Sequence, residues 1–371
     1  MLQLLKKRNN ISTCMGENML QKIKHKLAQM KKSHSKKWLL IIGGIVLVFF
    51  VAIIVWWVFG RGSASEITTE STISQTQDPL TGRLVDVAHK NQQVYGVMID
   101  EHVDARPQSG IDQAFLVIEA PVEAGIPRLL AFFSEDQQVS KIGPIRSARP
   151  YFVDWALEFD ALYVHVGGSN EALEKIAKGA TFDLNQFWHD PQFWRSTDRF
   201  APHNVYSSTD LLGVYVKKKQ GSGRTTDPLY GVWKFKTTEP KDVLPEKIHL
   251  SYVSPEYDFS WAYSVEKKAY LRLFDDQPVK TLEGNEIDAQ NVVVLLTDVD
   301  VIDTVGRRQI RTVGQGTAYL FQDGKKTKVV WKKPTSSERL RFYDQNDVEV
   351  EMNPGKTWIE VIEDESQLRT E

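Results

Sequence analysis

Twenty-two consecutive residues without a charge, Trp38–Phe59, constrain this chain more than any other feature. As a helix rising about 1.5 Å per residue the run reaches about 33 Å, enough to cross a hydrocarbon core of ~30 Å. Trp38 at one border and Trp56-Trp57 near the other suit the two membrane interfaces. Lysines crowd the N-terminal flank and only Arg61 closely follows the run, so the positive-inside rule predicts a cytoplasmic N-terminus with residues 60–371 outside. The run is also longer than the apolar region of a usual cleaved signal peptide.

The charge divides at the same place. Residues 1–60 carry ten of the 46 basic residues and one of the 48 acidic ones, Glu17, which leaves 36 basic and 47 acidic residues, a net charge of −11, in the remainder. A body this acidic repels polyanions, which excludes nonspecific nucleic-acid binding as its task. The single cysteine, Cys14, precedes the apolar run, so no disulfide can form within the chain. A chain of 371 residues can bury enough core to do without one.

Composition and periodicity then predict the order of segments. Residues 1–37 form a basic cytoplasmic segment in which Met19–Lys37 reads either as a surface helix or as a solvated tail. Residues 60–78, dense in Ser, Thr, Gln and Gly, read as a flexible stalk. Residues 79–220 read as an α/β or α+β domain. Apolar runs at Val94–Ile99, Phe115–Glu119, Arg128–Phe133 and Val139–Ile142 predict strands. Phe152, Trp155, Ala156 and Phe159 follow helical spacing behind Pro150, Ala161–Val166 returns to strand, and a second helix covers Glu171–Lys178. Thr181–Ser208 is expected to be a long aromatic loop, with a helix at Thr209–Lys219 closing the domain. After a linker or loop at 221–231, residues 232–371 alternate as a β-rich domain, with a hairpin turn expected at Asp323-Gly324.

The candidate site lies around Gly143–Arg149. Arg146 and Arg149 flank a predicted helix start, where free N–H groups and a two-pronged guanidinium favour an anion, although two structural ion pairs with Asp112, Glu119, Asp154 or Glu158 would explain them equally well. His165 ends a strand before Gly167, Gly168 and Ser169, at the strand edge where ligands collect in open α/β sheets, and the glycines would let backbone approach a bound group. The loop after Phe193 adds Arg199, His203 and Asn204. Ser169 with His165 or His203 could serve a hydrolase, but no Gly-x-Ser-x-Gly elbow surrounds it. Asp100, Glu119, Glu123 and His165 lack the usual metal-ligand spacings, and no Walker loop or dinucleotide fingerprint occurs, so neither metal nor cofactor is expected.

Ala105–Gly110, Glu119–Glu123, Gly143–Tyr151, His165–Ser169, Ala201–Asn204 and Asn353–Trp358 together resemble the YerB-like family of bacterial envelope proteins, built of two domains of unknown function. The resemblance covers nearly all of residues 79–363. It implies a bacterial, Gram-positive surface protein and brings no established catalytic residues. No cysteine follows the apolar run here, so the membrane helix would replace a lipid anchor. Three functions fit this reading: an envelope protein holding an anionic wall or lipid-linked precursor through the Arg/His cluster, an adaptor docking a membrane-protein partner, or an envelope hydrolase or transferase.

Overall fold

The computed structural model describes residues 47–57, 75–86, 92–222, 230–238 and 245–371. The basic segment and most of the expected stalk lie outside these residues. Residues 47–57 are helical, and their large apolar side chains are exposed. Among the described residues no helix is long and apolar enough to cross a membrane, and the rest of the 38–59 run lies outside them. The last part of the expected stalk is ordered: Gln75–Gln77 pairs antiparallel with Leu84–Asp86.

Residues Ile73–Glu371 form one unit built on a ten-stranded mixed sheet. Five of its strands come early in the chain: β1 (Val94–Asp100), β2 (Leu116–Pro121), β3 (Pro127–Ser134), β4 (Leu162–His165) and β5 (Phe182–Asn185). Three others, β6 (Lys247–Leu250), β7 (Phe259–Ser264) and β8 (Ala269–Phe274), belong to a smaller sheet, and the large sheet resumes with β9 (Asn291–Leu296), β10 (Gly314–Gln322), β11 (Lys325–Lys333), β12 (Arg341–Tyr343) and β13 (Thr357–Ile362). A last strand, β14 (Leu368–Thr370), pairs with β6 in the smaller sheet. The order across the large sheet is β12-β11-β10-β9-β13-β2-β3-β1-β4-β5. The N-terminal segment is mixed α/β and the C-terminal one β-rich, and the parallel pairing of β13 with β2 joins them in a single sheet.

Strand alternation explains how the sheet is buried on both faces. Tyr95, Val97 and Ile99 of β1 join a core with Leu212, Trp261 and Tyr270, whereas Val94 and Met98 join another with Phe152, Trp155 and Phe159. Helix α1 (Pro150–Leu157) therefore supplies the second core with the residues its periodicity singled out. Pro150 occupies its first turn, where the absent N–H costs nothing. Helix α2 (Asn170–Ala177) follows β4, and α3 (Thr209–Gln220) adds Leu212 and Tyr215 to the first core. The Asp323-Gly324 turn joins β10 to β11 with positive φ at both residues, 59° and 72°, as the hairpin signal predicts. Val139–Ile142 is not a ladder strand; Ile142 makes only an isolated bridge to Ser207. Phe259–Ser264 is a strand that the apolar pattern failed to announce.

Two buried ionic clusters lock the segments together. Glu119 on β2 and Glu360 on β13 are register partners, and both are fully buried. Arg272 of β8 reaches across from the smaller sheet, donating to Glu119 at 2.8 and 3.1 Å and to Glu360 at 3.1 Å. Trp358 donates to Glu119 at 3.0 Å, while Trp261 and Tyr252 donate to Glu360 at 2.9 and 2.8 Å. The Arg272 guanidinium also lies 3.8 Å from the Phe259 ring centroid. Glu101 stands 3.7 Å from Arg272 and 3.2 Å from Arg106. In the second cluster Glu158, at the end of α1, accepts from Arg339 at 2.9 Å and from the Leu340 N–H at 3.0 Å, with Lys333 at 3.4 Å. Phe159 and Trp233 flank Arg339, their ring centroids 4.1 and 3.8 Å away.

Carboxylates outnumber guanidinium groups in the first cluster, and the surplus takes up protons. Burial pushes Glu101 up to about 7 and, helped by the charge of Glu119, Glu360 up to about 8, from an ordinary value of 4.5. The folded chain keeps these protons where the unfolded chain has released them. Their contribution to stability is therefore complete below the unfolded value and is lost as pH rises through about 7 to about 8. We expect resistance to urea to decline from about pH 5 to about pH 9, and Glu360→Gln to flatten that slope. A slope of wild-type size in Glu360→Gln would place the titration elsewhere.

Candidate functional site

The chain itself fills the crevice expected beyond the carboxyl ends of the parallel strands β1 and β4. Where β4 stops pairing with β1, Ile145 bridges Ile99. The Arg146 N–H donates to Met98 O at 2.9 Å, and Arg146 O accepts from Val166 at 3.1 Å. Ala148 donates to Gly167 O at 3.0 Å and accepts from Ser169 at 3.2 Å. Residues 145–148 thus act as a short inserted ribbon between the diverging strands. A ribbon here occupies the place a ligand takes in open α/β sheets.

This ribbon fixes the arginines against nearby acids. Arg146 Nε lies 3.0 Å from the buried Asp100 of β1, which also takes His203 Nδ1 at 2.7 Å and the His102 N–H at 3.1 Å. Arg149 grips Glu123 with both prongs, at 2.7 and 2.5 Å. Burial acts to raise the Glu123 carboxyl, but the bonds and charge of Arg149 outweigh it and hold the group below the ordinary range. The partners are Asp100 and Glu123; none of Asp112, Glu119, Asp154 and Glu158 fills that role. Arg199 donates to the carbonyls of Ala105 and Pro107, the latter at 2.6 Å. Asn204 pins its own loop, donating to Ser196 O and Arg199 O at 3.1 and 3.2 Å and accepting from Arg195 at 2.9 Å.

The other expected site residues serve the fold. His165 is 0% exposed and bonds Gly167 O and Asp183, each at 2.6 Å. Gly167 has φ +59°, and a Cβ there would fall 2.7 Å from the Phe187 ring, so its bareness admits an aromatic side chain of the protein itself. A Cβ on Gly168 would fall 3.1 Å from the Ala148 side chain, so this glycine too lets the chain approach itself closely. Ser169 caps α2, accepting from the Ala172 N–H at 3.3 Å. The nine residues therefore divide: Arg146 and His203 meet at Asp100, Arg149 belongs with Glu123, and His165 with Asp183. A cleft of about 480 Å³ at Leu80–Leu84 and another of about 540 Å³ at Lys332–Tyr343 are lined by none of them.

Sequence reasoning missed Arg128, a buried residue of β3 that donates to Ser147 O at 3.2 Å and whose pKa burial and the neighbouring Arg149 push down to about 10. It also missed Asp100 as the meeting point, because the fold brings it together with His203 from 103 positions away. The stretch expected as one aromatic loop begins instead with strand β5, whose residues pair with β4, and its remainder puts three large rings in solvent: Phe187 is 61%, Trp188 78% and Phe200 93% exposed.

A mixed sheet shared by an α/β segment and a β-rich segment defines a two-part architecture, and the comparisons name it. Residues 80–222 match the family described as protein of unknown function (DUF3048) N-terminal domain, and residues 248–359 match the DUF3048 C-terminal domain. The chain belongs to this YerB-like DUF3048 family. It is 31% identical over 336 residues, 89% of this chain and 96% of the relative, to "Putative lipoprotein YerB" of Bacillus subtilis (strain 168). The crystal structure of YerB from Bacillus subtilis superposes with a TM-score of 0.72 at 29% identity, covering 80% of this chain and 99% of that one.

Proposed function

We propose that this chain is a membrane-anchored envelope protein, external from residue 60 onward, that acts as an adaptor by docking a membrane-protein partner. The relative's description as a lipoprotein supports envelope attachment, and the uncharged run Trp38–Phe59 supports attachment through a helix spanning the bilayer once. The observation that carries the adaptor reading is the exposed set of Phe187 and Trp188, on the helical turn capped by Asn185, and Phe200, on the loop braced by Arg199 and Asn204. Large aromatics held rigidly in water are the side chains that anchor protein interfaces, and each can supply 2 kcal/mol or more, an order-of-magnitude figure, once buried there.

A photo-crosslinking residue at the exposed Thr197, on the loop that carries Phe200, should trap one discrete partner in living cells. The Trp188→Ala/Phe200→Ala variant should lose at least about tenfold of that adduct, since ~1.4 kcal/mol is a factor of ten. An adduct of undiminished yield from the double variant would remove the adaptor reading. An anionic envelope ligand has one remaining support, the surplus charge of Arg128, Arg146 and Arg149 over Asp100 and Glu123. It is the weaker reading because Arg146 and Arg149 already hold carboxylates and Arg199 holds carbonyls.

A further inference from the structure

We infer that His102, Asp104 and His203 form a binding site for a divalent transition-metal ion. A ligand atom from each of the three lies within 4.8 Å of the others. The two imidazoles are stacked, with centroids 4.8 Å apart and an interplanar angle of 22°, so both rings present edges to the same space. Two elements remote in sequence build this arrangement. The loop after β1 delivers His102 and Asp104, and the loop braced by Asn204 delivers His203.

The tautomer of His203 carries the argument furthest. Its Nδ1 faces the Asp100 carboxylate at 2.7 Å, and a carboxylate accepts, so Nδ1 bears the proton and the Nε2 lone pair is left for a ligand. A buried carboxylate behind a histidine is the usual outer support of a metal-binding imidazole, fixing ring orientation and raising basicity. Asp100 is itself fixed by Arg146 and by the His102 N–H. His102 Nδ1 takes the Asp104 N–H over a long 3.2 Å and lies 3.5 Å from Asp104 Oδ2, a loose contact that a cation can replace. The charges suit a dication: Arg146 balances Asp100, and Asp104 remains to offset the metal.

Two imidazoles and one carboxylate favour zinc or its first-row neighbours over calcium or magnesium, which take oxygen. Three protein ligands also leave a coordination position open toward solvent, because the side chains of Asp104 and His102 are 71% and 33% exposed. The site does not depend on the adaptor reading. Its occupation would tie the loop carrying Phe200 to the end of β1, since the His203 N–H already donates to Phe200 O at 3.0 Å.

The test uses the full-length chain in detergent, stripped of metal and titrated with Co²⁺, then with Zn²⁺. We expect visible Co²⁺ bands at one equivalent that Zn²⁺ displaces, and a rise in melting temperature with either ion. His102→Asn, at a half-buried position, and Asp104→Asn, at an exposed one, should keep the circular dichroism of the wild type and bind at least about tenfold more weakly. His203→Ala should abolish the bands. Absence of bands in the wild type, or bands of equal strength and affinity in His102→Asn and Asp104→Asn, would overturn the assignment.

Discussion

Arg272→Ala should lower the free energy of unfolding by on the order of 3–5 kcal/mol, measured by urea titration. The loss has two parts. Glu119, Glu360 and Glu101 would face one another without the guanidinium that holds them, and a buried carboxylate stripped of its partner costs far more than the pair had contributed. The aromatic walls Phe259, Trp261 and Trp358 would also border an empty volume, since Arg272 fills the space among their rings. Arg272→Lys should recover little, because a single ammonium cannot match the two-pronged contact with Glu119. Adding Glu360→Gln to Arg272→Ala should recover part of the loss by removing one acid. A loss below about 1 kcal/mol in Arg272→Ala would mean that the sheets hold together without this cluster.

Glu158→Ala should cost a similar amount, on the order of 3–5 kcal/mol, through the opposite imbalance. Burial depresses the pKa of Lys333 and pushes Arg339 down to about 10, and in both cases Glu158 works against that fall. Removing it leaves Arg339 between Phe159 and Trp233 with no counter-charge and the Leu340 N–H without an acceptor. Lys333 is the safer of the two cations, because the carbonyls of Thr335, Ser336 and Glu338 also hold it, at 2.6–3.1 Å. Glu158→Gln keeps an acceptor for Leu340 and should lose less than Glu158→Ala. The double variant Glu158→Leu/Arg339→Met replaces the pair with apolar volume and should be closer to wild type than Glu158→Ala alone. Equal stability of wild type and Glu158→Ala in urea would contradict this account.

Much of the fold could be read from local pattern, and the candidate site much less. The spacing of Phe152, Trp155, Ala156 and Phe159 announced α1, and Asp323-Gly324 announced the hairpin, because each signal lies within a few residues of chain. Continuous apolar runs such as Val94–Ile99 likewise marked strands covered on both faces. What local pattern could not show was assembly: β13 sits beside β2 although 241 positions separate Glu119 from its register partner Glu360. The arginines were found by type and position, but their acids come from β1 and from Glu123, so the apparent island of positive charge is largely answered within the fold. The glycines at 167 and 168 had a cause close at hand, Phe187 and Ala148, which no spacing rule connects to them.

The placement of β13 has a further consequence. This strand lies between β9 and β2 in the large sheet but is among the last pieces of chain to be made. Until it arrives, the early strands end in an open, hydrogen-bond-hungry margin at β2, so closure of the sheet must wait for nearly the entire polypeptide to be delivered. In a chain synthesised from its N-terminal end, maturation is then timed by the tail, and a chain cut short between its two halves would present adhesive β-structure to its surroundings.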